Sequence, residues 1–136
     1  LIPQTIGSAM GYDKEGTMAR VLLVGYIPEL LQERDRALRA AGHTVTIGPS
    51  FAAASAAIAQ ETFDVAVLGF SVPEAERNEL ARILKQSSPS TRLIMIYFSS
   101  VKNTELADAL MPTTATAEDI LRAVNHIIGK HREKQA

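Results

Sequence analysis

Few side chains in this sequence have a type that could do chemistry, and their spacing brings little of it together. The three histidines, His43, His126 and His131, are scattered, and none belongs to a histidine-plus-carboxylate pattern of metal-ligand spacing. No metal centre is expected from them, and His43, which follows a helix-ending glycine, reads as a surface residue at the start of a strand. Ser71, Ser99 and Ser100 lack both a glycine-flanked nucleophile elbow and a candidate base, so they read as loop serines. The absence of cysteine excludes a disulfide framework, a thiolate nucleophile and cysteine-ligated zinc or iron–sulfur sites. Lys130, His131, Arg132 and Lys134 could touch phosphate, but a basic last turn also complements the negative end of a helix, and Glu133 interrupts the run. Asp35 and Arg39 sit four apart on the outer face of a helix, where such a pair contributes about 0.2 to 0.5 kcal/mol. On these residues the chain is not expected to be an enzyme or to carry a cofactor.

Composition narrows the class further. A chain of 136 residues with 46% hydrophobic content is the size of one domain with a buried core. Its 14 basic and 15 acidic residues give a net charge of -1, so nothing draws it to nucleic acid or to an anionic membrane. No apolar run approaches the roughly 20 residues that span a bilayer, and the start lacks the pattern of a signal peptide. A soluble, cytoplasmic chain is expected.

Order is expected to begin near Met18. Residues 1–17 hold three of the eight glycines and no period; they read as a flexible leader or a remnant of expression, or else as an arm that docks through Leu1, Ile2, Ile6 and Met10. From there, short apolar runs alternate with amphipathic segments, which predicts a three-layer α/β/α domain, doubly wound on a parallel five-stranded sheet and spanning 18–130. Strands are expected over Arg20–Val24, Thr44–Ile47, Val65–Leu68 and Leu93–Tyr97. A first helix follows Pro28, turns Leu30, Leu31, Ala37, Leu38 and Ala41 inward, and ends at Gly42. A second is capped by Ser50 and runs to about Glu61, and a third runs from Pro73 to Lys85 before Ser87-Ser-Pro-Ser breaks it. The last opens at Thr116, carries the stripe Ile120, Leu121, Val124, Ile127 and Ile128, and is closed by Gly129 and a basic tail over 131–136.

The runs Ala19-Arg-Val-Leu-Leu-Val-Gly-Tyr-Ile-Pro-Glu-Leu-Leu, Ala41-Gly-His-Thr-Val and Phe63-Asp-Val-Ala-Val-Leu-Gly-Phe-Ser-Val-Pro resemble, in order and spacing, the receiver domains of bacterial two-component signalling, from about Ala19 to Lys130. Pro73 stands four residues after Gly69, as a proline follows the family's phospho-accepting aspartate. In that family an acidic pair ending the first strand and the acceptor aspartate ending the third hold magnesium, which favours carboxylate oxygens. The matching positions here are Gly25, Tyr26 and Gly69. The family's threonine or serine ending the fourth strand matches Tyr97, and its lysine before a proline matches Met111, followed by Pro112. The resemblance therefore implies a pseudo-receiver with no nucleophile, metal ligand or charge-neutralising lysine.

Two accounts of the altered pocket stay open. Either Tyr26 and Tyr97 fill space beside Gly25 and Gly69 with their hydroxyls turned toward water, or the glycines and aromatics form a small-molecule crevice of flavodoxin-like type at the carboxyl edge of the sheet. A second departure lies between Tyr97 and Met111. The 13 residues from 98 to 110 are too few for a helix of about 11, loops of about 4 each and a strand of about 5, so the fourth helix is expected to be short or missing. That shortening would expose a sheet edge, and the expected function is protein–protein docking or homodimerisation, with Phe98, Leu106, Leu110, Ile120 and Val124 as the candidate surface.

Overall fold

Strands that emerge from a parallel sheet with both faces covered have no polar side to show, so they read as continuous apolar runs. Here Val21 to Val24, Val65 to Leu68 and Leu93 to Ile96 are all buried. The computed structural model describes residues 18–97 and 106–135, with side chains as far as 130. In chain order the elements are β1 (Arg20–Val24), α1 (Pro28–Ala40), β2 (Thr44–Gly48), α2 (Phe51–Gln60), β3 (Val65–Leu68), α3 (Glu74–Ser87), β4 (Arg92–Tyr97), β5 (Ala109–Pro112) and α4 (Ala117–Gln135). All pairings are parallel and the sheet order is β2-β1-β3-β4-β5. The expected three-layer, five-stranded architecture is the one observed.

The period-2 alternation of each strand sorts its side chains into two cores. Leu22, Val24, Ala66, Leu68, Leu93 and Met95 face α2 and α3, meeting Ala54, Ile58, Leu80 and Leu84. Val21, Leu23, Val65, Val67, Ile94 and Ile96 face α1 and α4, meeting Leu31, Leu38, Ile120, Val124 and Ile128.

Local chemistry sets the helix ends. Pro28 opens α1. Its far end is a Schellman motif: Gly42 takes the left-handed conformation at φ 100, its N–H donates to Arg39 O at 3.0 Å, and the His43 N–H donates to Leu38 O at 3.1 Å. Ser50 caps α2 by accepting the Ala53 N–H at 3.1 Å. At α4, Thr116 Oγ1 accepts the Asp119 N–H at 3.0 Å while the Asp119 carboxylate accepts the Thr116 N–H at 2.9 Å, a reciprocal capping box. These Thr116 hydrogen bonds, with Arg122 nearby, hold the Asp119 carboxyl below its ordinary range.

Three sequence expectations need correction. The last helix does not close at Gly129 but continues to Gln135, because a glycine on an open helix face costs only about 1 kcal/mol and the following residues are good helix formers. The third helix starts at Glu74, with Pro73 in the cap position, and reaches Ser87. His43 is not a surface residue: it is 4% exposed. The Schellman turn swings it inward, where Nδ1 accepts the Ala19 N–H at 3.0 Å and Nε2 lies 2.8 Å from Asn125 Oδ1. An Nδ1 that accepts requires the proton on Nε2, which then donates to Asn125, so one neutral imidazole ties β1, the α1–β2 turn and α4 together. Between β4 and β5 the described residues 106–108 form a turn and no helix; residues 98–105, like the leader 1–17, lie outside the described residues.

Replacing His43 by Ala leaves the buried Ala19 N–H without its partner and should cost about 2 kcal/mol in urea unfolding, whereas Asn125→Ala, which frees only the Nε2–H, should cost about 1 kcal/mol.

Candidate functional site

In an open parallel sheet the chain winds outward in both directions from one point, and the carboxyl ends of the two strands flanking that point form the natural crevice. The two strands here are β1 and β3. Gly25 follows β1 and Gly69 follows β3, and a Cβ added to Gly69 would lie 3.7 Å from the Gly25 Cα. The Gly69 N–H donates to Val24 O at 2.8 Å, and the Tyr26 N–H donates to Ser71 Oγ at 2.8 Å, which ties the loops after β1 and β3 together. Neither glycine has a positive φ, so backbone conformation does not require them. Packing accounts for them instead. A Cβ at Gly25 would meet Leu31 Cδ2 at 3.2 Å, and one at Gly69 would meet Val24 O at 3.1 Å and Arg34 Nη1 at 3.2 Å.

The α1 side chains Leu31 and Arg34 thus stand against these glycines. Tyr26 packs on the α2/α3 core, and its hydroxyl donates to Glu76 Oε1 at 2.7 Å. Burial, the hydrogen bond to Glu76 and that group's charge all push the phenol well above its ordinary pKa. Tyr97 ends β4 and pairs in register with Pro112, and Met111 pairs with Ile96 and packs on the α1/α4 core. Gly25, Gly69 and the Tyr26 backbone therefore share one edge of the sheet, while the Tyr26 and Met111 side chains go to opposite cores.

Arg34 is the residue that sequence reasoning missed. It is 5% exposed and makes no ion pair or side-chain hydrogen bond among the described residues. Burial lowers its pKa, and the charge of Glu33 opposes that shift. The available signal was spacing: Leu31, Arg34 and Leu38 recur at three and four residues on the inner stripe of α1. Arg77 holds the same kind of position on α3 beside Leu80, Ala81 and Leu84; it is buried, with Nε lacking a hydrogen-bond partner.

Of the proposed contact surface, Leu106 and Leu110 are 39% and 46% exposed. Ile120 and Val124 are fully buried against the sheet and so cannot present a surface, which corrects that part of the expectation. Phe98 lies outside the described residues. Among the described residues, no group of three or more acids or histidines comes together that could hold a metal ion, and no helix is long and apolar enough to cross a membrane.

Comparison with solved structures follows this geometry. A response regulator receiver domain (CheY-like) from Methanospirillum hungatei superposes with a TM-score of 0.78 at 22% identity, over 86% of this chain and 98% of that one. The fold is that of a receiver domain. The response regulator protein TrrA from Thermotoga maritima, in complex with magnesium and beryllofluoride, matches at a TM-score of 0.71 and 17% identity over 81% and 99% of the two chains. A protein described as an adenylate cyclase from Rhodopirellula baltica matches at 0.72 and 22% over 87% and 93%. No family model and no curated protein sequence matches. The magnesium that the receiver resemblance implies does not fit here: the edge where it would sit carries two glycines and a guanidinium, which would repel a cation.

Gly69→Asp, whose Cβ would press on the Val24 carbonyl, should lower the thermal midpoint by the same amount with and without magnesium, measured by calorimetry, because no magnesium site is created. Tyr26→Phe should cost about 1 kcal/mol in urea unfolding through loss of the hydrogen bond to Glu76.

Proposed function

We propose that this chain is a receiver-fold signalling module that works without phosphoryl transfer, by docking on a partner protein or on a second copy of itself. The observation that carries the reading is the pairing of Gly69 with Arg34. At the position equivalent to the family's acceptor aspartate there is no carboxylate to form an acyl phosphate, and a cation occupies the space beside it. Loss of the acceptor, of the magnesium ligands and of the lysine equivalent at Met111 removes the groups with which the family accepts a phosphoryl group and neutralises its charge. A receiver fold without that chemistry retains its surfaces.

The proposed docking face is the β5 edge. Leu110 pairs in register with Met95, which faces α2 and α3, so Leu110 stands at the outer end of that face with, among the described residues, one strand beside it. Leu106 is exposed just before it. Apolar side chains on an open strand edge favour association. A bacterial cytoplasmic setting accords with this reading.

Incubation with acetyl phosphate and magnesium should leave the intact mass unchanged, and a phosphoryl adduct would overturn the proposal. In sedimentation velocity, or in pull-down with a partner once identified, Leu110→Lys should reduce association at least tenfold while leaving the thermal midpoint nearly unchanged.

A further inference from the structure

We infer that Arg34 makes the cleft between α1 and the start of α4 a binding site for a small oxyanion, a phosphate or a carboxylate. This goes beyond the docking reading and stands whether or not the β5 edge is an interface. A guanidinium presents N–H donors in a planar fork matched to the oxygens of such anions. Arg34 is 5% exposed as a residue and makes no ion pair or side-chain hydrogen bond among the described residues, so its donors are short of partners.

Arg34 also lines a cleft of about 530 Å³ between α1 and the start of α4, together with Glu33, Arg36, Thr116, Ala117 and Glu118. The cleft thus joins the buried cation to the first turn of a 19-residue helix. At that helix start, the Thr116 and Asp119 N–H groups donate to each other's side chains and the Ile120 N–H donates to Thr116 O, whereas those of Ala117 and Glu118 fall at positions with no partner inside the helix. Arg34 and the residues of these free N–H donors therefore line one cleft. The acids Glu33 and Glu118 on its wall offset Arg36 and exclude a polyanion, which selects a small ion able to reach Arg34. Burial lowers the Arg34 pKa, as expected for a charge short of compensation.

The test is a two-dimensional NMR titration of the full chain, following backbone amides and arginine Nε–H signals, with inorganic phosphate in one arm and acetate in another, at ionic strength held constant with chloride. Saturable shifts at Arg34, Gly69, Ala117 and Glu118 are expected. Saturation by phosphate alone assigns the site to a free phosphate-like ion, and saturation by acetate as well assigns it to carboxylates, including an acidic side chain. Arg34→Leu should weaken binding at least tenfold. Gly69→Asp, which occupies the guanidinium from within and does not depend on removing a packed side chain, should do the same. No saturable shift in either arm, or equal binding by wild type and Gly69→Asp, would overturn the inference and leave the docking reading untouched.

Discussion

Everything in this molecule depends on a parallel sheet whose three central strands have no solvent face. With Val21 to Val24, Val65 to Leu68 and Leu93 to Ile96 buried, each strand must send alternate side chains into two separate cores, and each core must be closed by helices. Moving any of these strands by one residue would exchange its two core faces, so their register is strongly specified. The carboxyl ends of β1 and β3 are held side by side by the same pairing, which is why Gly25 and Gly69 meet although 44 residues separate them.

That edge carries one buried guanidinium and two residues without side chains, and on the proposed reading these stand where a receiver keeps the acids that attract magnesium. The exchange is sterically coherent, since a residue larger than glycine at 69 would press on Val24 O and on Arg34 Nη1. Arginine suits such a position because its long apolar stem can lie along the core between Leu31 and Leu38 while its charged end reaches the sheet edge. The loss of the acceptor and the gain of the cation therefore read as one change in packing.

The fold was largely legible in the residues because its signals are local and periodic. β1 and β3 have the expected limits, as does the Ser50 cap, and the Thr116 cap stands one residue before α4; all rest on runs of apolar residues or on side-chain to backbone hydrogen bonds a few residues long. Where the reading failed, the deciding partner was remote. His43 looked exposed because it follows a turn, yet the backbone of Ala19 and the side chain of Asn125 converge on it from 24 and 82 residues away. Tyr26 looked like a filler of empty space, and its hydroxyl instead found Glu76 on α3, 50 residues on.

The sequence by itself determined the alternation of strands and helices, and the resemblance read from it matched Gly25, Tyr26, Gly69, Tyr97 and Met111 to the five positions of receiver chemistry, because composition and order are properties of the chain. Only the tertiary structure decided what stands in their place. Which side chain enters a vacated volume depends on the angle at which α1 packs over the sheet, and that packing sets Arg34 against Gly69 and Leu31 against Gly25. The same packing decided which apolar residues are surface: Ile120 and Val124 are consumed by the α4–sheet contact, while Leu110, on an edge strand, remains open. Hydrophobicity alone does not distinguish those cases, because burial is a property of neighbours and not of the residue.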